Sequence, residues 1–236
     1  SSFFSAPITL LNTRRIGSAA ISPDIPPGTS IADIELFKPS ELRGAIKVTG
    51  QNGRLRYGVL TAIEDDARFH GFDNLGSSVR LEQQGRDFGV LRLSYEDSSA
   101  GLRSLGWMTT AVMHPDRDAL VHGVDGHYIS ASSNWATDLQ LIYSDIEGLH
   151  GYGGLGDLSY IPRKGVTHKL TFDYLDDQLD INDFGFLRRN DVLGMKYAYT
   201  NNRTDLQRLR RWDRSLSLAQ KYNRDGQAIR SEIFWR

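Results

Sequence analysis

The chain has 236 residues with 28 basic and 29 acidic side chains, a net charge of −1 and no cysteine. Near-neutrality argues against a nucleic-acid partner, which ordinarily draws a basic excess, and the lack of cysteine removes disulfide frameworks and cysteine-based metal or redox motifs. At 39% hydrophobic residues and a mean hydropathy of −0.41 no membrane helix is encoded, whereas a transmembrane barrel, which turns only alternate residues to lipid, is compatible with such a composition.

Residues 1–41 read as an irregular linker or plug segment. Pro7, Pro23, Pro26, Pro27, Gly28 and Pro39 punctuate them and exclude a central strand. A short extended piece from Ile8 to Ile16 carries Arg14 and Arg15, which either dock this segment on carboxylates such as Asp138 or Asp157 or belong to a solvated linker. The first residues lack the basic start and apolar core of a signal peptide.

From 42 to 236 the dominant signal is alternation of apolar and polar residues, which means β-strand because successive side chains point to opposite faces. It predicts strands near 42–50, 54–64, 88–96, 104–113, 119–131, 134–144, 152–161, 166–176, 191–200, 207–222 and 227–235, with a further short piece at 78–85 and a helical turn around Asn202 to Arg210. Asn52-Gly53, Ser133-Asn134, Lys164-Gly165 and Asp225-Gly226 supply tight-turn chemistry. Two connections, 65–87 and 177–190, are much longer and share one parity, as the long loops of an outer-membrane barrel do. Ala228 to Trp235 reads as a strand still running, which predicts a piece of a longer chain.

In the strand 134–144, Trp135, Leu139, Leu141 and Tyr143 share one face. Trp135 and Tyr143 lie roughly 26 Å apart along a strand, or roughly 20 Å in height once tilted, a separation suited to paired aromatic girdles. Trp212 and Tyr222 flank Leu216 and Leu218 in the same way. Periodicity alone does not say which face is inside, so a soluble antiparallel sandwich fits the same pattern. Strand length tips the reading to a membrane barrel.

Asp173, Asp176, Asp177, Asp180, Asn182 and Asp183 form a dense acidic stretch. It lacks the glycine and glutamate of a calcium loop and reads as solvated, with a glycosidase pair among Asp177, Asp180 and Asp183 as the sharper alternative. Arg208, Arg210, Arg211 and Arg214 surround Trp212 and are candidates for lipid phosphate or another anion. His122 and His127 fall on opposite strand faces and form no chelating pair. No nucleophile elbow, phosphate loop or zinc spacing occurs, so neither an enzyme nor a cofactor is expected.

Several pieces run in order along the chain: Asn12-Thr13-Arg14-Arg15-Ile16-Gly17, Leu42-Arg43-Gly44-Ala45-Ile46-Lys47-Val48-Thr49-Gly50, Tyr57-Gly58-Val59-Leu60-Thr61-Ala62, Val90-Leu91-Arg92, Ser98-Ser99-Ala100-Gly101, Val124-Asp125 and Asp183-Phe184-Gly185-Phe186-Leu187-Arg188-Arg189-Asn190-Asp191. Together they resemble a family of bacterial outer-membrane proteins of unknown function that join a family-9-like carbohydrate-binding domain to a C-terminal membrane β-barrel. The family's sugar-binding domain has no counterpart here. The resemblance implies the first part of the barrel region, an outer-membrane location and an association with glycans, and it carries over no catalytic residue. The sequence-based expectation is therefore an all-β protein, an antiparallel up-and-down transmembrane β-barrel or a truncated part of one, over 42–236. It would be a passive channel or an anchor for a glycan-binding domain, in contact with the lipid bilayer and lipopolysaccharide. The alternatives are a soluble β-sheet carbohydrate-binding module and a glycoside hydrolase-like enzyme.

Overall fold

The computed structural model describes residues 8–204 and 212–236. A short strand β1 (Ser30–Ile31), a single helical turn α1 (Asp33–Leu36) and the long strand β2 (Leu42–Asn52) are followed by β3 (Leu55–Glu64), β4 (Ala67–Phe72), β5 (Ser78–Gln83), β6 (Asp87–Asp97) and β7 (Leu102–Met113). The series continues with β8 (Ala119–Ile129), β9 (Trp135–Ile146), β10 (Leu149–Arg163), β11 (Val166–Leu175), β12 (Val192–Arg203), β13 (Trp212–Tyr222) and β14 (Ala228–Trp235). Eleven of these form one sheet, in the order β14-β13-β12-β11-β10-β9-β8-β7-β6-β3-β2, and every junction is antiparallel. The hairpin β4–β5 leaves this meander and joins β1 in a separate three-stranded sheet. The strands lie where the alternation put them. The 65–87 connection, read as a loop with one short piece, holds a whole hairpin.

The expected closed barrel is not formed. β2 and β14 are edges of an open sheet with no pairing between them. Ten antiparallel junctions separate these two strands of the eleven-stranded order, so they run in the same direction and cannot complete the antiparallel ladder. That corrects the barrel reading and what rested on it: the channel or membrane-anchor role, transmembrane strands, the outer-membrane location, and bilayer and lipopolysaccharide as partners. A lipid-spanning wall must satisfy every backbone N–H and C=O internally, and two unpaired strand edges do not. What the structure shows is an all-β protein built on an open antiparallel sheet.

The two faces of this sheet differ sharply. One is covered at the rim from which both long connections leave. Leu60, Ala62, Phe88, Val90, Met108, Val112, Val121, Ile142 and Ile146 project from the strands there. Leu10 of the N-terminal segment and Leu179, Ile181 and Phe184 of the 176–191 loop pack on top of them, each at most 2% exposed. Phe184 meets Phe88 at 4.9 Å between ring centroids. Burying a side chain of this size contributes about 1.5–3 kcal/mol. Further from that rim the same face turns polar, with the ion pairs Arg92–Asp125, His127–Asp138 and Lys169–Asp157. The opposite face stays open and carries Leu139, Leu141, Leu158, Leu170 and Phe172, all exposed.

Polar contacts hold the N-terminal segment in place. The buried Gln140 side chain accepts from Ile8 N and donates to Ile8 O, acting as a surrogate strand neighbour. Glu64 Oε1 accepts from Gly17 N at 2.8 Å, and Arg86 bridges Glu64 (2.8 and 3.0 Å) to Ala19 O (3.1 Å). Gly151 and Gly123 are required for a different reason. A Cβ at Gly151 would strike the Leu179 backbone, and one at Gly123 would strike Leu10. The bare strands admit the segments that cover them.

Leu10→Ala is expected to lower the unfolding free energy by about 2–5 kcal/mol, measured as a drop in urea midpoint, whereas Ile34→Ala, at an exposed position, shifts it by less than about 0.5 kcal/mol. Glu64→Ala leaves the Arg86 guanidinium without its carboxylate and is expected to cost about 3–5 kcal/mol. Amide exchange should show residues 17–19 losing protection first in that variant.

Candidate functional site

Cross-strand register assembles an aromatic row on the open face near the loop-bearing rim. β9 and β10 are joined by Glu147 and Gly148, both at positive φ (52° and 80°). This is the two-residue turn whose twist suits an antiparallel pair and fixes its register. That register sets Tyr143 opposite Tyr152, while β8 sets His122 opposite Tyr143. Trp107 stacks on His122 at 6.3 Å, His122 on Tyr143 at 6.2 Å, and Tyr143 lies 5.4 Å from Tyr152 and 5.9 Å from His150. Within this row lies a shallow groove of about 390 Å³ walled by His122, Tyr143, Tyr152 and Tyr174. Gly154, opposite both Leu141 and Tyr174, leaves bare backbone as its floor.

The rim of the groove is polar. The Tyr143 hydroxyl and His150 Nδ1 are 2.9 Å apart, Asp145 Oδ2 lies 3.6 Å from the same nitrogen, and the Tyr174 hydroxyl donates to Asp176 Oδ2 at 3.3 Å. His122 Nδ1 is held by Thr109 Oγ1 at 2.8 Å. Partial loss of water pushes the Tyr143 phenol above the usual tyrosine range, with the Asp145 carboxylate and Tyr152 adding to it. Its hydroxyl therefore stays a neutral hydrogen-bonding group at neutral pH. A second aromatic set lies toward the far rim, where Trp135 stacks on Tyr160 at 4.3 Å and His168 contacts Tyr199 at 5.1 Å and Tyr197 at 6.2 Å. Between the two sets runs an apolar groove of about 410 Å³ containing Leu139, Leu141, Leu158, Leu170 and Phe172.

The residues singled out from sequence are scattered. Arg208, Arg210 and Arg211, and most of the helical turn expected around Asn202 to Arg210, lie outside the described residues. Arg214 stands over the Trp212 ring at 4.2 Å, with Arg203 at 5.7 Å from the same ring. Arg14 and Arg15 sit on a 3-10 turn, Thr13–Arg15. The carboxylates proposed for them are engaged elsewhere, Asp138 by His127 and Asp157 by Lys169 and Thr171. The N-terminal segment is tied instead by Gln140, Glu64 and Arg86.

Four of the five aspartates of the acidic stretch are ion-paired from outside it. Asp180 and Asp183 both pair with Arg117, Asp177 with Arg224, and Asp173 with Lys221. Among the described residues no group of three or more His, Cys, Asp or Glu converges on a metal-sized point. The aromatic row itself was only half visible in the sequence. Alternation sets Tyr143 on one face with Trp135, Leu139 and Leu141, but only strand order and register bring four strands' rings together.

Compared with known proteins, the chain matches no family model, no curated protein and no solved structure.

With its folded pKa raised, Tyr143 keeps its proton as pH rises past the ordinary tyrosine value of about 10 and loses it only above the folded value. Spectrophotometric titration at 295 nm should thus show that Tyr143→Phe removes a phenol from the late, high-pH part of the curve. Loss from the early part would contradict the assignment.

Proposed function

We propose that this chain is a non-enzymatic, carbohydrate-binding β-sheet protein whose aromatic row on the open face contacts the sugar. The observation that carries this reading is the groove between Tyr143, Tyr152 and Tyr174, with its glycine floor and its rim of hydroxyl, imidazole and carboxylate groups. A pyranose ring offers a face of C–H bonds and an edge of hydroxyls. Aromatic faces carry negative electrostatic potential and suit the C–H face, while a few placed polar groups fix orientation, the usual composition of a small-molecule site. The large exposed apolar surface around the groove supports a binding role, since patches of this extent mark interaction sites.

Binding without turnover fits the carboxylates. A glycosidase needs an acid and a base or nucleophile facing one another across a substrate. Here Asp180 and Asp183 are gathered on one guanidinium, Arg117, and Asp177 is held by Arg224.

Calorimetric titration of the chain with a panel of neutral oligosaccharides tests the reading. At least one should bind, and Tyr152→Ala should weaken it about tenfold or more, roughly 1.4 kcal/mol. Trp235→Ala, on the far edge strand, should leave affinity unchanged. A folded protein that binds no member of the panel, or Tyr152→Ala binding as tightly as the parent, would overturn the proposal. Release of reducing ends would overturn its non-enzymatic part.

A further inference from the structure

The 176–191 loop encloses a second cavity, of about 490 Å³, at the same end of β9, β10 and β11 as the aromatic groove. The two are linked through Asp176, whose backbone N–H donates to Tyr152 O (2.9 Å) and whose carboxylate accepts from the Tyr174 hydroxyl. Leu149, Leu179 and Leu187 form the apolar part of the cavity. Its charged groups are Asp177, Asp180, Arg188 and Arg189.

The two carboxylates are already matched. Arg224, from the β13–β14 turn, holds both oxygens of Asp177 at 3.1 and 3.0 Å, and Arg117, from the β7–β8 connection, reaches Asp180 at 2.9 Å. Asp180 also accepts from Asn182 N and Nδ2. Arg188 and Arg189 are exposed, and among the described residues neither makes an ion pair or a side-chain hydrogen bond. The loop is acidic by composition, yet the charge left unmatched in its cavity is positive. Two guanidiniums side by side offer planar forks suited to carboxylate or sulfate oxygens, and the unbonded Gln178 amide adds a neutral donor at the same wall.

We propose that Arg188 and Arg189 form an anion subsite at the rim shared with the aromatic groove, so that the preferred ligand is an acidic glycan bearing a carboxylate or sulfate. This rests on the carbohydrate reading above and narrows its substrate class. The acidic group enters the loop cavity and the glycan passes over the rim to the groove on the other face. Because both arginines are exposed, the attraction is screened by salt.

The test compares an oligogalacturonate, a sulfated oligosaccharide and a neutral oligosaccharide of equal length on the full chain, the double variant Arg188→Ala/Arg189→Ala, and Arg80→Ala as a distant control. At least one acidic oligosaccharide should bind tenfold or more tighter than the neutral one, lose that margin in the double variant and in high salt, and keep it in Arg80→Ala. The better of the two acidic probes identifies the oxyanion. Both arginines are exposed, so the variant should unfold near the parent's midpoint. Inorganic sulfate titrated alone reports the subsite without any sugar, and a saturable thermal shift absent from the double variant supports it. Equal affinity for acidic and neutral probes would overturn the subsite and leave the carbohydrate reading standing. Sulfate binding without any oligosaccharide binding would overturn the carbohydrate reading and leave the subsite.

Discussion

The structure depends on one constraint: half of one sheet face is too apolar to stay wet, and the chain covers it with its own irregular segments. Leu10 arrives from before the first long strand, and Leu179, Ile181 and Phe184 arrive from between β11 and β12. Residues far apart in sequence thereby share one core. The conditions for that packing are local. Gly123 and Gly151 give up side chains so that backbone and Leu10 can approach, and Gln140 satisfies both polar groups of Ile8, which would otherwise be buried without partners. The Glu64–Arg86 pair completes the arrangement. It is nearly dry and would be a poor source of stability by itself, but it pins Gly17 and Ala19 to the sheet.

The same arrangement explains why the opposite face is available for binding. The N-terminal segment and the 176–191 loop cover the first face, and Leu139, Leu141 and the aromatic rows remain exposed on the other. Apolar side chains in such numbers on a solvent-facing sheet are a standing cost unless something is bound there. The rows are also ordered. Trp107, His122, Tyr143 and Tyr152 come from four successive strands and stack at a nearly regular interval, because antiparallel register repeats the spacing from one strand to the next.

Electrostatics at the loop-bearing rim follow from contacts between turns. Arg117 and Arg224 belong to the β7–β8 and β13–β14 connections on that rim, and each reaches the carboxylates of the 176–191 loop. Individually such partly exposed pairs contribute little to stability. Their effect is on charge: they pair Asp177, Asp180 and Asp183 and leave Arg188 and Arg189 as the cavity-lining charges without a counter-ion among the described residues.

Strand positions, lengths and the shared parity of Trp135, Leu139, Leu141 and Tyr143 are determined by the sequence, because alternation at a period of two is a local property of the backbone. The rim that carries both long connections is equally local, since it follows from counting strands. Which face would be covered was decided only in three dimensions, by Leu10 and Phe184 landing on Phe88 and its neighbours. So was closure: alternation is identical in an open sheet and a barrel, and only the pairing of β2 and β14, which does not occur, could have distinguished them. Of the hairpin β4–β5 only the second strand showed, as the short piece at 78–85, because a six-residue strand gives alternation little length to stand out. The partners of Asp177, Asp180 and Asp183 lie more than forty residues away in sequence, and no local pattern specifies a contact whose geometry is set by how two turns meet at the edge of a sheet.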